Sequence, residues 1–305
     1  MKRVLVVYFS QSGQLLSILQ SLMGPLENND QVTVTYEKLK PTPSYPFPWS
    51  LFEFFDVLPE SVLEVPTQLE PFQFDPEESY DLIVLAYQTW FLSPSVPITS
   101  FLQSSAAARC LKNRPVITVI GCRNMWLMGQ EQIKKSLAEL SAQLIMNIPF
   151  IDRSPNIVSV VTIPTWMFTG KQDYFKFLPR AGVSRQDIEN ASRFGSIILD
   201  YLQTDPSKGK QTLSENYPAE VNARLIGLER TGRRAFRIWA RIINALGEPR
   251  SWARKPILLS FIVYLVVAMT VAFPVNYLIF LLYRILNKEG LRKKVEYYSK
   301  NLLDK

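Results

Sequence analysis

Three short polar stretches each follow an apolar run and carry side chains that can bind or react. The first holds Ser10, Gln11, Ser12, Gly13 and Gln14, after RVLVVYF at 3–9. Hydroxyls, a glycine and free backbone N–H groups ahead of a helix make an anion site suited to a phosphate monoester. Gly13 permits close backbone approach. No lysine is present and the GxxxxGK(S/T) pattern is absent, so this is not a nucleoside-triphosphate loop. A plain helix cap is the other use of such residues. The second stretch runs Tyr87, Gln88, Thr89, Trp90, Phe91, then Leu92-Ser93-Pro94-Ser95. The third is Gly121, Cys122, Arg123, Asn124, Met125 and Trp126. Together they offer aromatic faces for stacking, amides for hydrogen bonds and one cation. Each tryptophan has packing as its alternative use.

Composition narrows the chemistry. The 305 residues contain no histidine, which removes the commonest general base, Ser-His and Cys-His nucleophiles and most zinc sites. Cys110 and Cys122 form neither a CxxC nor a metal-ligand spacing, so no metal site and no disulfide framework is expected. Lys2 and Arg3 lead into a strand-like run without a signal-peptide cleavage region, so export is not expected.

The elements that must position these stretches are legible. Residues 3–9, 81–87, 115–121 and 144–151 read as buried parallel strands, and 32–37 as an alternating one. Helical patterns fall at 14–23, 129–144 and 185–203. Strands alternating with helices predict a doubly wound parallel sheet over residues 1–204. Ligands then belong beyond the carboxyl ends of the strands, where the three stretches lie. Two insertions interrupt the plan. Residues 41–74 hold seven prolines and many aromatics, including Trp49, Phe52, Phe54 and Phe55, which suit a lid, a membrane contact or extra core. Residues 153–182 form a second long excursion, with Arg153 and Arg180 in it and Arg185 just beyond.

The last third changes character. Residues 205–223 read as a polar linker. Residues 224–255 hold nine Lys/Arg against Glu229 and Glu248. Over 224–246, Phe236, Trp239, Ile243 and Leu246 fall on one helical side, and Arg230, Arg234, Arg237 and Arg241 on another, as in a helix lying in a membrane interface. Residues 256–283 are uncharged. A straight helix of that length is about 42 Å, longer than a ~30 Å hydrocarbon core. Pro274 divides the run, and basic residues flank both ends, from Arg250 to Lys255 and again over a basic tail at 287–305. The positive-inside rule puts both flanks on the cytoplasmic face of the inner membrane. A shallow hairpin at 256–286 satisfies this, and a single tilted span is the alternative. The acidic partner expected for the basic helix is an anionic membrane surface, not nucleic acid, since no recognition motif accompanies the charge.

VVYFSQSGQ, AYQTWFLSPSVPITSFL and IGCRNMW resemble the three FMN-binding loops of the flavodoxin-like family, over about residues 1–200. The resemblance implies a flavodoxin-like five-stranded parallel sheet with FMN as cofactor. Ser10, Gln11, Ser12, Gly13 and Gln14 would surround the phosphate. Gln88, Thr89, Trp90 and Phe91 would lie along the ribityl chain and ring, and Cys122, Arg123 and Asn124 would close over it. Arg123 departs from the Gly-rich or acidic third loop of ordinary flavodoxins, and Leu15 and Leu16 stand where many have Thr or Ser. The whole chain also resembles the bacterial dialkylresorcinol condensing enzyme proteins, through YPFPWSLFEFFD, AYQTWFLSPS, CRNMWLM and ERTGRRAFRIW before a hydrophobic tail. That resemblance implies a part in making dialkylresorcinol lipids, including the resorcinol half of flexirubin-type pigments. A ketosynthase partner would join the acyl chains, and this chain would act as the aromatase, oxidising a dialkyl cyclohexanedione to a resorcinol. Arg123 would then stabilise an enolate oxygen, with Tyr87 as the candidate base, and the substrate is lipid-like. Two other readings share the residues: a membrane-bound NAD(P)H:quinone-type flavin reductase, and a membrane-tethered electron carrier or scaffold.

Overall fold

The computed structural model describes residues 1–204 and 212–300. Residues 205–211 of the expected linker and 301–305 of the expected tail lie outside the described residues.

Five strands form one parallel sheet: β1 (Lys2–Tyr8), β2 (Val32–Lys38), β3 (Leu82–Trp90), β4 (Pro115–Cys122) and β5 (Gln143–Ile151). Their order is β2-β1-β3-β4-β5, and each neighbouring pair is parallel. This is the flavodoxin-like doubly wound order, with its switch point between β1 and β3. On β1, Val4, Leu5, Val6 and Val7 are all fully buried, as a central strand covered on both faces requires. Side chains alternate between the layers. Val4, Val6 and Tyr8 meet α1 (Gln14–Glu27), while Leu5, Val7 and Phe9 belong to the opposite core. That second core includes α4 (Val96–Leu102) and α5 (Leu127–Glu139).

The first insertion contributes α2 (Leu51–Asp56), started by a capping box of Ser50 and Glu53, and α3 (Leu58–Val62). The second carries α6 (Asn156–Thr169), ended by Gly170 in the left-handed region. The closing helix expected at 185–203 is two helices, Arg185–Glu189 and α7 (Ser192–Gln203), the latter packed beside α1.

The C-terminal third is helical: α8 (Leu225–Ala245), α9 (Lys255–Leu286) and α10 (Lys288–Lys300). α9 corrects the expected hairpin, since it runs through Pro274 as one helix. The stretch Trp252–Val271, which includes its first half and the turn before it, is long and apolar enough to cross a membrane, by length and composition. Leu258 and Phe261 of α9 are buried against Phe55, Leu58, Ala240 and Ile243. Arg254, at the head of α9, is also buried. It donates to Glu60 Oε1 at 3.0 Å and Asp56 Oδ1 at 3.4 Å, and to the Gly247 carbonyl at 2.8 Å. Burial pushes the Glu60 carboxyl up, and Arg254 opposes the push. The basic stretch after 287 is not a loose tail. α10 returns to the sheet domain, where the Ser299 carbonyl accepts from the Ala219 amide at 2.8 Å, Tyr297 donates to Glu131, and Val295 and Tyr298 pack on the core.

Candidate functional site

The first loop leaves β1 at its carboxyl end, beside the switch point. Gly13 precedes α1 with φ +84°, a conformation that side-chain-bearing residues avoid, and being a glycine it offers the helix no side-chain cap of its own. The Ser10 hydroxyl accepts from the Leu16 amide at 3.2 Å. Among the described residues no acceptor meets the amides of Ser12, Gly13 or Gln14, so the donors of an anion site are present and unspent. Two side chains are otherwise engaged. Gln11 donates to the Pro46 carbonyl at 2.8 Å, and its amide approaches Gln88 Oε1 at 3.4 Å. Gln14 is clamped to the backbone of Val183, accepting at 2.9 Å and donating at 3.2 Å, so its side chain supports the loop rather than a ligand.

The second loop is organised by aromatic packing. Trp90 is buried with Phe9, Tyr45 and Trp49 edge-on to it at 5.1–5.7 Å. It is therefore core and presents no open face to a ring, contrary to the expected stacking role. Trp90 and Ser93 pair across a tight turn whose central residues, Phe91 and Leu92, have φ +50° and +59°. Bulky residues there are strained. What holds them is visible. Phe91 packs on Phe54 at 4.8 Å and on Phe236 of α8 at 6.0 Å. The Leu92 carbonyl accepts from Arg233 of α8, and a Cβ on Gly232 would stand 3.0 Å from Leu92. Gln88 and Thr89 are half-buried at the strand end.

Tyr87 is fully buried and donates to Gln130 at 2.7 Å, the first link of a buried chain through Thr118 to Asn147. Burial pushes its phenol well above the usual range. The expected base is thus a structural phenol, out of reach of any ligand.

In the third loop, Arg123 donates to the Ser159 hydroxyl at 2.8 Å and the Asn156 carbonyl at 3.0 Å, and Asn124 donates to Asn156. Both side chains hold the head of α6, so they anchor the second insertion instead of closing over a ring. Burial pushes the Arg123 guanidinium down, against the pull of Asp152. Burial likewise pushes the Cys122 thiol well up, which leaves it a poor nucleophile.

The open space lies beside the first loop. A cleft of about 1000 Å³ is lined by Ser12 and Gly13, by Phe47 and Trp166, by Lys171 and Arg180, and by Asp152. Asp152 went unremarked in the sequence, although it is the acid just past the carboxyl end of β5. It is buried, with Oδ1 accepting from Ser154 at 2.8 Å and Oδ2 unpartnered. That oxygen is closed to solvent, so Asp152 sets a buried polar atom without a partner beside the cleft it helps to line.

Glu229 is the other residue the sequence underrated. Buried on α8, it accepts from the Met128 amide at 3.0 Å and meets the amides of Leu127 and Trp126. It therefore caps α5 from a distant segment, and Arg233 donates to the Met128 carbonyl beside it. Its isolation among nine cations was the only signal. Burial pushes its carboxyl up to about 8, against the three amides. The unfolded chain titrates there near 4.3. Between these values the folded state binds a proton the unfolded state lacks, so stability falls as pH rises from about 4.3 to about 8, then levels. Glu229→Gln should flatten that slope, read from denaturant midpoints at pH 5, 7 and 8.5; an unaltered slope would assign it to other groups.

No protein-family model matches this chain, and no curated protein does. Solved structures of similar layout include a flavoprotein in complex with FMN from Lactobacillus acidophilus, 15% identical, matched over 49% of this chain and 93% of that one with a TM-score of 0.38. Flavodoxin 1 from Bacillus cereus is 12% identical over 66% of this chain and 99% of its own, with a TM-score of 0.37. A flavone reductase is 12% identical over 68% of this chain and 65% of its own, with a TM-score of 0.35. The fold rests on the strand order and pairing, not on these likenesses.

Proposed function

We propose that this chain is an FMN-dependent oxidoreductase acting on a lipid-borne ring at a membrane surface. The observation that carries the reading is the set of unspent amides at Ser12, Gly13 and Gln14 ahead of α1 at the switch point, with Gly13 in the left-handed region and the 1000 Å³ cleft beside them. Unspent amides with the Ser10 and Ser12 hydroxyls match a phosphate monoester. Phe47 and Trp166, in the same cleft, are the aromatic walls available to the flavin ring. When bound, FMN supplies a two-electron acceptor for hydride leaving a carbon of the substrate.

The residues of the chain supply the rest. Asp152, the carboxylate lining the cleft, is the residue placed to accept the proton. Lys171 and Arg180 bring positive charge to the cleft, where a substrate oxygen gains negative charge. Tyr45, Trp49 and Phe54 of the first insertion pack on Trp90 and Phe91 of the second loop and fill the space over it. The resemblance to dialkylresorcinol proteins supports a dialkyl cyclohexanedione as the substrate, oxidised to a resorcinol with loss of one hydride and one proton, and a ketosynthase as the partner that makes it. The apolar face of α9 supports placement at the cytoplasmic face of the inner membrane, where such a substrate partitions.

The first test is the visible spectrum of detergent-purified protein with and without added FMN. Flavin bands that co-elute with the protein are expected. A chain that stays colourless in excess FMN would overturn the reading and leave a scaffold in its place.

A further inference from the structure

We infer that α9 is not a span: it lies in the plane of an anionic bilayer surface, with both of its ends on the side of the sheet domain. This rests on the membrane half of the proposed function and not on the flavin half.

Both ends of α9 are tied down. At its head, buried Arg254 joins Asp56 and Glu60, and Leu258 and Phe261 are sealed against α2, α3 and α8. Further along, Asn276 donates to the Arg224 carbonyl at the start of α8, 2.9 Å away. α9 thus runs antiparallel along α8, and α8 is itself held to the domain by Glu229 and Arg233. At its tail, α10 turns straight back: Lys294 reaches Tyr283 of α9, Tyr297 reaches Glu131, and Ser299 reaches Ala219. A helix of 32 residues is ~48 Å long. Were it to cross a ~30 Å core, one tied end would have to leave the domain for the far side. That would strip Arg254 from its two buried carboxylates, or pull α10 off the core.

The outer surface fits lipid. Leu259, Val263, Val267, Val271, Leu278 and Leu282 recur at helical spacing along α9 and are all exposed. No charge interrupts residues 256–283. On another side of α8 from the one packed on α9, Arg230, Arg234, Arg237 and Arg241 are exposed together, charges suited to anionic headgroups. Trp252, 80% exposed, stands under the Lys255 ammonium at 3.3 Å, an amphipathic pair suited to the interface. A long uncharged aliphatic surface in the same helical pair as a row of exposed arginines matches a headgroup boundary better than it matches a protein groove.

The test places one added cysteine before α9, Glu248→Cys, and another after it, Lys288→Cys, in the full-length chain. Both positions are exposed and outside the candidate site. Cells expressing each variant yield sealed inside-out and right-side-out membrane vesicles, which are treated with a membrane-impermeant maleimide. The parent chain, whose Cys110 is buried and Cys122 half-buried, serves as the blank. Both variants should label in inside-out vesicles and stay protected in right-side-out ones until detergent is added. Labelling of the two positions from opposite sides would establish a span and overturn the inference. Recovery in the soluble fraction, as a monomer or as a dimer burying the stripe, would overturn it too. Neither failure alters the flavin spectrum, so the two halves of the function are judged separately.

Discussion

Asp152→Asn is expected to lower turnover of a dialkyl cyclohexanedione about 10²–10⁴-fold, the range for loss of a positioned acid or base. The FMN spectrum and affinity should not change. Asparagine keeps the shape of the side chain and can still accept from the Ser154 amide through Oδ1. It removes the carboxylate charge, and with it both the proton-accepting capacity and the pull on buried Arg123. Because that charge offsets the burial of Arg123, the substitution should also cost some stability, and the melting temperature of the variant reads that cost separately from turnover. Wild-type turnover in a variant that folds and binds FMN would move the proton transfer elsewhere.

Gly13→Val should weaken FMN binding by roughly 10–100-fold, since a strained backbone of this kind costs about 1–3 kcal/mol and 1.4 kcal/mol is tenfold in affinity. The reason is conformational. Gly13 sits at φ +84°, where a β-branched residue is strongly disfavoured. A Cβ there meets no protein atom within 4 Å, so folding itself meets no clash. The loop would relax by turning its amides away from the phosphate. Fluorescence titration of FMN into the apoprotein reads the change. Equal affinity in the variant would show that the loop is a helix start and nothing more.

The parallel sheet was readable from composition because its central strands are covered on both faces. A run such as Val4-Leu5-Val6-Val7 needs no partner to be recognised as buried. The first loop was readable for a similar reason: hydroxyls and a glycine between strand and helix act through local backbone geometry. Roles that depend on distant segments were not readable. Trp90 has the chemistry of a stacking platform, and only the aromatics of residues 41–74, folded over it, convert it to core. Tyr87 has the chemistry of a base, and only Gln130 and full burial remove it from use. Arg123 and Asn124 have the chemistry to close over a ring, and the fold spends them on α6. Asp152 and Glu229 gained their importance from what surrounds them, one oxygen left unpaired beside a cleft and one carboxylate closing a helix from about a hundred residues away.

The same division governs the C-terminal third. Its amphipathic helix, its uncharged run and its basic flanks are properties of nearest neighbours along the chain, and they establish affinity for a lipid surface by themselves. Whether the run stands or lies depends on where its ends are held. Those holds are contacts across long loops: Arg254 with Asp56 and Glu60, Tyr297 with Glu131, Ser299 with Ala219. Hydrophobic periodicity is local and survives in any fold. The pairing of a buried cation with its carboxylates, or of a returning helix with its sheet, exists only when the chain has closed on itself.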